Sequence, residues 1–139
     1  MRFVLLIIAL LLPSAALSAE RIALVIGMAQ YRNIVTLKNT VNDARAIAGA
    51  LDSVGFKVTE AIDKPLDELK AMMADFAFRA ETAELALIYF AGHGVEVEGE
   101  NFLIPIDADV KTNADIQRQS VSLRDFLQTV DRARKMRIV

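Results

Sequence analysis

One segment of this chain, Leu85 to Gly94, joins an unbroken apolar run to the only histidine among the 139 residues. An apolar run without polar alternation is typical of a strand that is buried on both faces of a parallel sheet. His93 follows this run between two glycines, and active sites of open α/β sheets lie outside the carboxyl ends of the strands. The segment therefore predicts a parallel sheet with His93 at its functional edge.

Apolar runs and helical patterns alternate along the rest of the chain. The predicted strands are Ile22–Ile26, Phe56–Thr59, Leu85–Phe90 and the start of a fourth, Arg137–Val139. The predicted helices cover Asn42–Val54, a segment that begins near Pro65 and a segment that begins at Ser122. Between Val95 and Ile104, apolar and polar residues alternate around a glycine, which predicts a hairpin beside the site. The alternation of strands and helices predicts an α/β fold, a three-layer α/β/α sandwich with a mostly parallel sheet.

Particular residues are expected to cap these helices and to face the core. Thr40 or Asn42 would cap the first helix, and Gly55 would end it. Ser122 would cap the last helix, with Asp125 at the spacing of a capping box. Helical spacing predicts these buried positions: Ala44, Ile47, Ala48 and Leu51 in the first helix, Leu66, Leu69, Met73, Phe76 and Ala77 in the second, and Leu123, Phe126, Leu127 and Val130 in the last.

Four ordered motifs carry a resemblance to a known family. They are Arg21–Gly27 followed by Tyr31-Arg32, the Asn-Asp-Ala helix start within Leu37–Ala44, the segment Tyr89–Gly94, and the segment Asn101–Ala108. In these motifs the chain resembles the caspase-like cysteine peptidases, particularly the bacterial metacaspase type, from about Arg21 to Val139. The resemblance implies a caspase-like fold and a cysteine-type endopeptidase that acts on peptide or protein substrates.

The resemblance also implies roles for three residues. His93 would be the catalytic acid and base, which takes the thiol proton and returns one to the leaving amine. The amide of Gly94 would help to form the oxyanion hole. Asp43 would line the pocket for the residue before the cut and select arginine or lysine by ion pairing. Each also has a plainer interpretation, with His93 and Gly94 as parts of a tight turn and Asp43 as an acid at a helix N-terminus.

The nucleophile of such a peptidase is missing, because the sequence contains no cysteine. Caspase sequences place the histidine about 50 residues before the catalytic cysteine, and 46 residues follow His93 here. We therefore expect a chain that is truncated before the end of its fourth strand, the large-subunit part of a peptidase and inactive alone. The alternative is a nucleophile-free pseudo-peptidase that acts as a binding or scaffold module.

The first 19 residues have the pattern of a secretory signal peptide. Arg2 supplies the positive charge, Phe3–Leu12 form the apolar core, and small residues follow Pro13. We expect cleavage after Ala19, with Ala16 and Ser18 as alternative sites, which leaves a peptidase domain over residues 20–139 of an exported protein. A retained membrane anchor is the competing interpretation, although the apolar run is shorter than the ~20 residues that a spanning helix needs.

Charge and motifs exclude several other partners. The net charge is −2 and no basic patch with interleaved aromatic residues is present, so nucleic acid is not an expected partner. Gly27 stands alone, without a dinucleotide fingerprint or a phosphate loop, which argues against a nucleotide-binding domain. No cofactor is expected. Calcium is the alternative that the resemblance implies, because some metacaspases are activated by calcium through acids after the corresponding Pro-x-Asp segment. Asp107 and Asp109 are too few for a calcium site of 6–8 oxygens, so we interpret them as solvated loop acids.

Overall fold

The computed structural model describes residues 20–139, so the predicted signal peptide lies outside the described residues. Its central sheet has four parallel strands in the order β2-β1-β3-β7, and a small antiparallel sheet has the order β4-β5-β6. The strands are β1 (Arg21–Gly27), β2 (Lys57–Ile62), β3 (Leu85–Ala91), β4 (Gly94–Val97), β5 (Glu100–Leu103), β6 (Val121–Ser122) and β7 (Met136–Ile138). The helices are α1 (Thr40–Ser53), α2 (Leu66–Ala80), α3 (Asn113–Gln119) and α4 (Leu123–Gln128).

Strand β1 lies between two apolar layers, as its uninterrupted apolar sequence requires. Residues 22–26 are at most 1% exposed, and their side chains alternate between the two faces of the sheet. One face carries the larger core, to which α2 and α4 contribute, and the other carries a smaller core with α1. The predicted three-layer α/β/α arrangement with a parallel sheet is thereby confirmed.

The hairpin predicted after His93 is also confirmed. Strands β4 and β5 pair antiparallel, and the turn between them consists of Glu98 and Gly99. Both turn residues have positive φ, +55° and +81°, which is the backbone of the two-residue turns that suit twisted hairpins. Strand β6 extends this small sheet by pairing with β5.

Two details of the helix predictions were wrong. Helix α1 begins at Thr40, and its N-cap is Asn39, whose side chain makes no capping hydrogen bond. The Thr40 hydroxyl instead donates to the Met28 carbonyl at 2.7 Å, which ties the helix start to the end of β1. Leu127, expected in the buried face of α4, is 39% exposed, because α4 ends at Gln128 and buries Phe126 as its main anchor.

Helix α3 was missed by the sequence predictions. Its seven residues carry Ile116 and Ala114 as their only apolar side chains, too few to show a helical stripe. A capping box starts it, since Thr112 and Asp115 each accept a hydrogen bond from the other's backbone amide. That Thr-x-x-Asp pattern was the available signal. Within residues 20–139 no helix is long and apolar enough to cross a membrane.

Candidate active site

Two loops meet at the carboxyl edge of the sheet because β1 and β3 are parallel neighbours that end together. Gly27 is the register partner of Ala91, and the next amide, that of Met28, donates to the Ala91 carbonyl at 2.8 Å. The loop of residues 28–39 thus starts beside the turn that carries His93. We call residues 28–39 the β1–α1 loop.

The imidazole of His93 is anchored on this loop. Its Nε2 lies 2.8 Å from the carbonyl oxygen of Val35, and the side chain is partly exposed. A carbonyl oxygen only accepts, so Nε2 carries the proton of this hydrogen bond and, in the neutral ring, Nδ1 keeps its lone pair. The arrangement leaves Nδ1 as the nitrogen that can accept a proton from an acidic group.

Tyr31, on the same loop, contacts both the backbone and the ring of His93. Its hydroxyl accepts a hydrogen bond from the His93 amide at 2.8 Å, and the two ring centroids lie 4.7 Å apart at an interplanar angle of 54°. Burial raises the pKa of Tyr31 to about 12, and the phenol is therefore neutral at physiological pH. The sequence predictions used Tyr31 only as part of a motif and did not assign it to the site.

The two glycines beside His93 differ in how much space surrounds them. A Cβ on Gly92 would lie 2.7 Å from both the Tyr31 hydroxyl oxygen and Phe90 Cζ, so a side chain is excluded there. A Cβ on Gly94 would meet only the Phe102 carbonyl oxygen, at an ordinary 3.6 Å. The tight packing that a glycine permits is thus found at Gly92, whereas Gly94 has room for a side chain in this chain.

The register of the hairpin determines where the Gly94 amide points. Gly94 is opposite Leu103, and the Ile104 amide donates to the His93 carbonyl at 3.0 Å. In an antiparallel ladder this bond flanks a non-hydrogen-bonded pair, so the N–H of Gly94 is directed away from β5. It is available to a group outside the ladder.

Asp43 lies in the first turn of α1, at the same edge of the sheet as His93. The helix start packs on the end of β1, where a Cβ on Gly27 would lie 2.7 Å from Ala44 Cβ. The Asp43 amide donates to the Asn39 carbonyl at 2.9 Å, and the Asp43 side chain is exposed. Among residues 20–139 no hydrogen bond or ion pair engages its carboxylate, which therefore remains available to a basic ligand.

Asp63 is a site-supporting residue that sequence reasoning missed. It follows β2 with a φ of +47°, and its Oδ1 accepts hydrogen bonds from the amides of Ala29 and Gln30 at 2.7 and 3.0 Å. These bonds hold the first residues of the β1–α1 loop directly before Tyr31. An aspartate immediately after a strand at the functional edge was the signal that could have indicated it.

The two acids considered for calcium have separate structural partners. Asp107 Oδ1 accepts from the Leu66 amide at 2.9 Å and so caps α2, while Asp109 pairs with Lys111 at 2.9 Å. The interpretation of Asp107 as a solvated loop acid is therefore wrong, because it serves a helix N-terminus. Across the described part of the chain, no three histidine, aspartate or glutamate side chains are grouped as a metal site would require.

An apolar pocket of about 280 Å³ opens beside His93. The aliphatic residues that line it come from the β1–α1 loop, the hairpin and the segment around α3. They are Ile34, Val35, Val95, Ile104, Val110 and Ile116, with His93 and Gly94 completing the wall. The anchored imidazole therefore borders a surface that can hold apolar groups of a bound molecule.

The fold and the site together define an α/β protein with a parallel sheet and a histidine anchored after its third strand. The chain belongs to the caspase-domain family, whose family model matches residues 20–139. This confirms the family that the four sequence motifs indicated. A cysteine peptidase is the kind of enzyme that this family suggests.

Particular relatives agree with this membership. Over 92 residues the chain is 32% identical to the human mucosa-associated lymphoid tissue lymphoma translocation protein 1, and 30% identical to its mouse homolog. Each match covers 66% of this chain and 11% of the relative. The crystal structure of the Drosophila initiator caspase Dronc superposes with a TM-score of 0.59 at 13% identity, covering 76% of this chain and 39% of that one, which confirms the fold.

Proposed function

We propose that this chain is the histidine-bearing part of a caspase-type cysteine endopeptidase. The observation that carries the proposal is the hydrogen bond between His93 Nε2 and the Val35 carbonyl, which leaves Nδ1 free to accept a proton. Family membership supports protein or peptide as the substrate class. The required cysteine is not among the 139 residues, and we propose that residues beyond Val139 supply it.

The proposed reaction uses the groups already described. His93 Nδ1 takes the thiol proton, and the thiolate sulfur attacks the scissile carbonyl carbon. The negative charge that develops on the carbonyl oxygen is stabilised by the Gly94 N–H, which points away from the hairpin. When the C–N bond breaks, His93 returns the proton to the leaving amine. The acyl group is then held on sulfur as a thioester. Water, deprotonated by the same imidazole, attacks the thioester carbonyl carbon, the C–S bond breaks to release the carboxylic acid, and the imidazolium returns the proton to the thiolate.

We further propose that Asp43 selects basic residues before the cut. Its carboxylate is exposed, without a partner among residues 20–139, and lies at the same edge of the sheet as His93, which follows the end of β3. A carboxylate in this position would pair with an arginine or lysine side chain through charge-assisted hydrogen bonds. The pocket beside His93 is apolar and contributes no such charge.

The first experiment is to sequence the gene and its transcript beyond the Val139 codon and to express the complete reading frame. We expect the reading frame to continue through a hydrophobic strand into an Asp-Ala-Cys motif. The complete protein should then cleave arginyl and lysyl peptides. His93→Ala should lower kcat/KM by several orders of magnitude with its fold intact, whereas retained turnover would contradict the assigned role.

A matched pair of variants on α1 tests the specificity proposal. Asp43→Ala should lower kcat/KM for arginyl and lysyl peptides far more than for peptides with a neutral residue before the cut. Asp52→Ala removes an exposed carboxylate from the same helix, near its other end, and should leave both unchanged. An equal loss for all peptides in Asp43→Ala would show structural damage instead of lost selectivity.

A binding or scaffold role is the second candidate, and the absence of cysteine favours it. A stop codon directly after Val139 would support this role, because such a chain has no thiolate nucleophile of its own. We would then expect the wild-type chain to bind a protein partner in a pull-down experiment. Substitutions in the lining of the pocket beside His93 should abolish that binding.

We also propose that the protein is exported. The pattern of the first 19 residues supports this, with Arg2 before an apolar core and small residues ahead of the expected cut. The mass of the protein recovered from outside the cytoplasm should correspond to a chain that begins at Glu20. A full-length mass in the membrane fraction would instead indicate a retained anchor.

A further inference from the structure

We propose that Tyr31 is a positioning residue that holds the His93 imidazole with Nε2 on Val35. This inference deepens the proposed function, because it states how the chain selects the proton-accepting nitrogen. It can nevertheless be tested without catalysis, since it concerns the tautomer of one ring. His93 is the only histidine of the chain, so its ring signals can be assigned without ambiguity.

The hydroxyl of Tyr31 fixes the backbone of His93 from one side. It accepts the His93 amide at 2.8 Å, while the His93 carbonyl accepts the Ile104 amide at 3.0 Å. Both peptide groups that flank the His93 Cα are therefore held, one by the β1–α1 loop and one by the hairpin. Gly92 makes the first contact feasible, because a Cβ there would lie 2.7 Å from the hydroxyl oxygen.

The aromatic ring of Tyr31 limits the side chain of His93. Its centroid lies 4.7 Å from the imidazole centroid, and Tyr31 itself is 5% exposed and packed in the larger core. Val35, which receives the Nε2–H, has a side chain that is 78% exposed, so its own packing gives the loop little support. The rigid wall against which the imidazole is oriented is therefore Tyr31.

Both contacts to His93 come from one loop, which couples them. Tyr31 and Val35 are joined within the β1–α1 loop, and the Leu37 amide donates to the Ala29 carbonyl at 3.0 Å across its base. If the hydroxyl contact is lost, Tyr31 no longer holds the His93 backbone against the β1–α1 loop. The distance between the Val35 carbonyl oxygen and the imidazole is then less tightly defined. We expect the preference for the Nε2–H form to weaken as a result.

The test uses ¹⁵N chemical shifts of the His93 ring, together with hydrogen exchange of its backbone amide, in the 139-residue chain. In the wild type at a pH where the ring is neutral, Nε2 should carry the proton. Tyr31→Phe keeps the ring and removes the hydroxyl. Its His93 amide should exchange on the order of tenfold faster, and the Nε2–H preference should fall roughly fivefold, the weight of one net hydrogen bond.

Tyr89→Phe is the matched control, because Tyr89 is the chain's other tyrosine and packs against the smaller core on the α1 face. It should leave both measurements unchanged. A Tyr31→Phe variant with lowered stability but unchanged tautomer and amide exchange would overturn the proposal and make Tyr31 a merely structural residue. If Tyr31→Phe does not fold, the wild type still decides, since a ring protonated on Nδ1 or an unprotected His93 amide would contradict the inference.

Failure of this proposal is distinguishable from failure of the proposed function. The tautomer and exchange measurements require no cysteine and no substrate. Peptide cleavage by the protein from the complete reading frame is a separate measurement. It can succeed or fail independently of the tautomer and exchange results for Tyr31→Phe.

Discussion

The carboxylate of Asp63 accepts the backbone amide of Ala29 at 2.7 Å, and so ties the end of β2 to the loop that follows β1. The same oxygen accepts the Gln30 amide at 3.0 Å, and Asp63 returns a hydrogen bond from its own amide to the Gly27 carbonyl at 2.9 Å. This reciprocal contact holds the loop from which Tyr31 and Val35 reach His93.

Replacing Asp63 by alanine should destabilise the fold by roughly 2–3 kcal/mol, because two amides lose a charged acceptor and a φ of +47° suits alanine poorly. Asp63→Asn keeps an acceptor oxygen and tolerates this backbone, so it should cost about half as much or less. Urea unfolding of the three proteins measures the difference. Equal losses in the two variants would contradict the assigned hydrogen bonds.

Gly92→Ala should lower the free energy of unfolding by about 1–3 kcal/mol, since its Cβ would overlap the Tyr31 hydroxyl and the Phe90 ring. The control is Gly49→Ala on α1, where an added Cβ meets nothing within 4 Å. Because alanine is the better helix former, this variant should gain roughly 0.5–1 kcal/mol. Thermal unfolding should therefore move in opposite directions for the two changes.

Tyr31 should make the fold sensitive to alkaline pH. Burial raises its pKa to about 12 from an ordinary value of 10, so its contribution is complete below pH 10 and is lost as pH rises through 12. The loss should reach roughly 2–3 kcal/mol. Urea unfolding at pH 9 to 12 should show this loss in the wild type and in Tyr89→Phe, and a smaller one in Tyr31→Phe. If the free energy of unfolding depends on pH identically in the wild type and in Tyr31→Phe, Tyr31 is not the source of the alkaline sensitivity.

The helix-capping role of Asp107 gives a fourth prediction. Asp107→Ala should destabilise the protein by about 1 kcal/mol, because the Leu66 amide at the start of α2 loses its acceptor. Asp109→Ala removes only an exposed ion pair with Lys111, which solvent screens, and should leave stability nearly unchanged. Calcium should leave the melting temperature of all three proteins unchanged. A calcium-dependent rise that requires both acids would contradict the capping interpretation.

Much of the fold could be predicted from local patterns. The apolar runs at Ile22–Ile26 and Leu85–Phe90 indicated strands buried on both faces, and both strands lie in the centre of the sheet. The glycine-centred alternation after His93 likewise predicted the hairpin of β4 and β5. Such features are visible in a sequence because strand and helix periodicities involve residues that are close along the chain. Helix α3 escaped because its seven residues offer no apolar stripe.

The sequence by itself determined the parallel α/β architecture, the caspase-like family and the placement of His93 after a buried strand. Only the tertiary structure decided which groups surround that histidine. Val35 and Tyr31 contact His93 from 58 and 62 residues away, and Asp107 caps α2 from 41 residues away. Contacts at such separations depend on which strands are neighbours and where their loops meet, and no local periodicity encodes that choice.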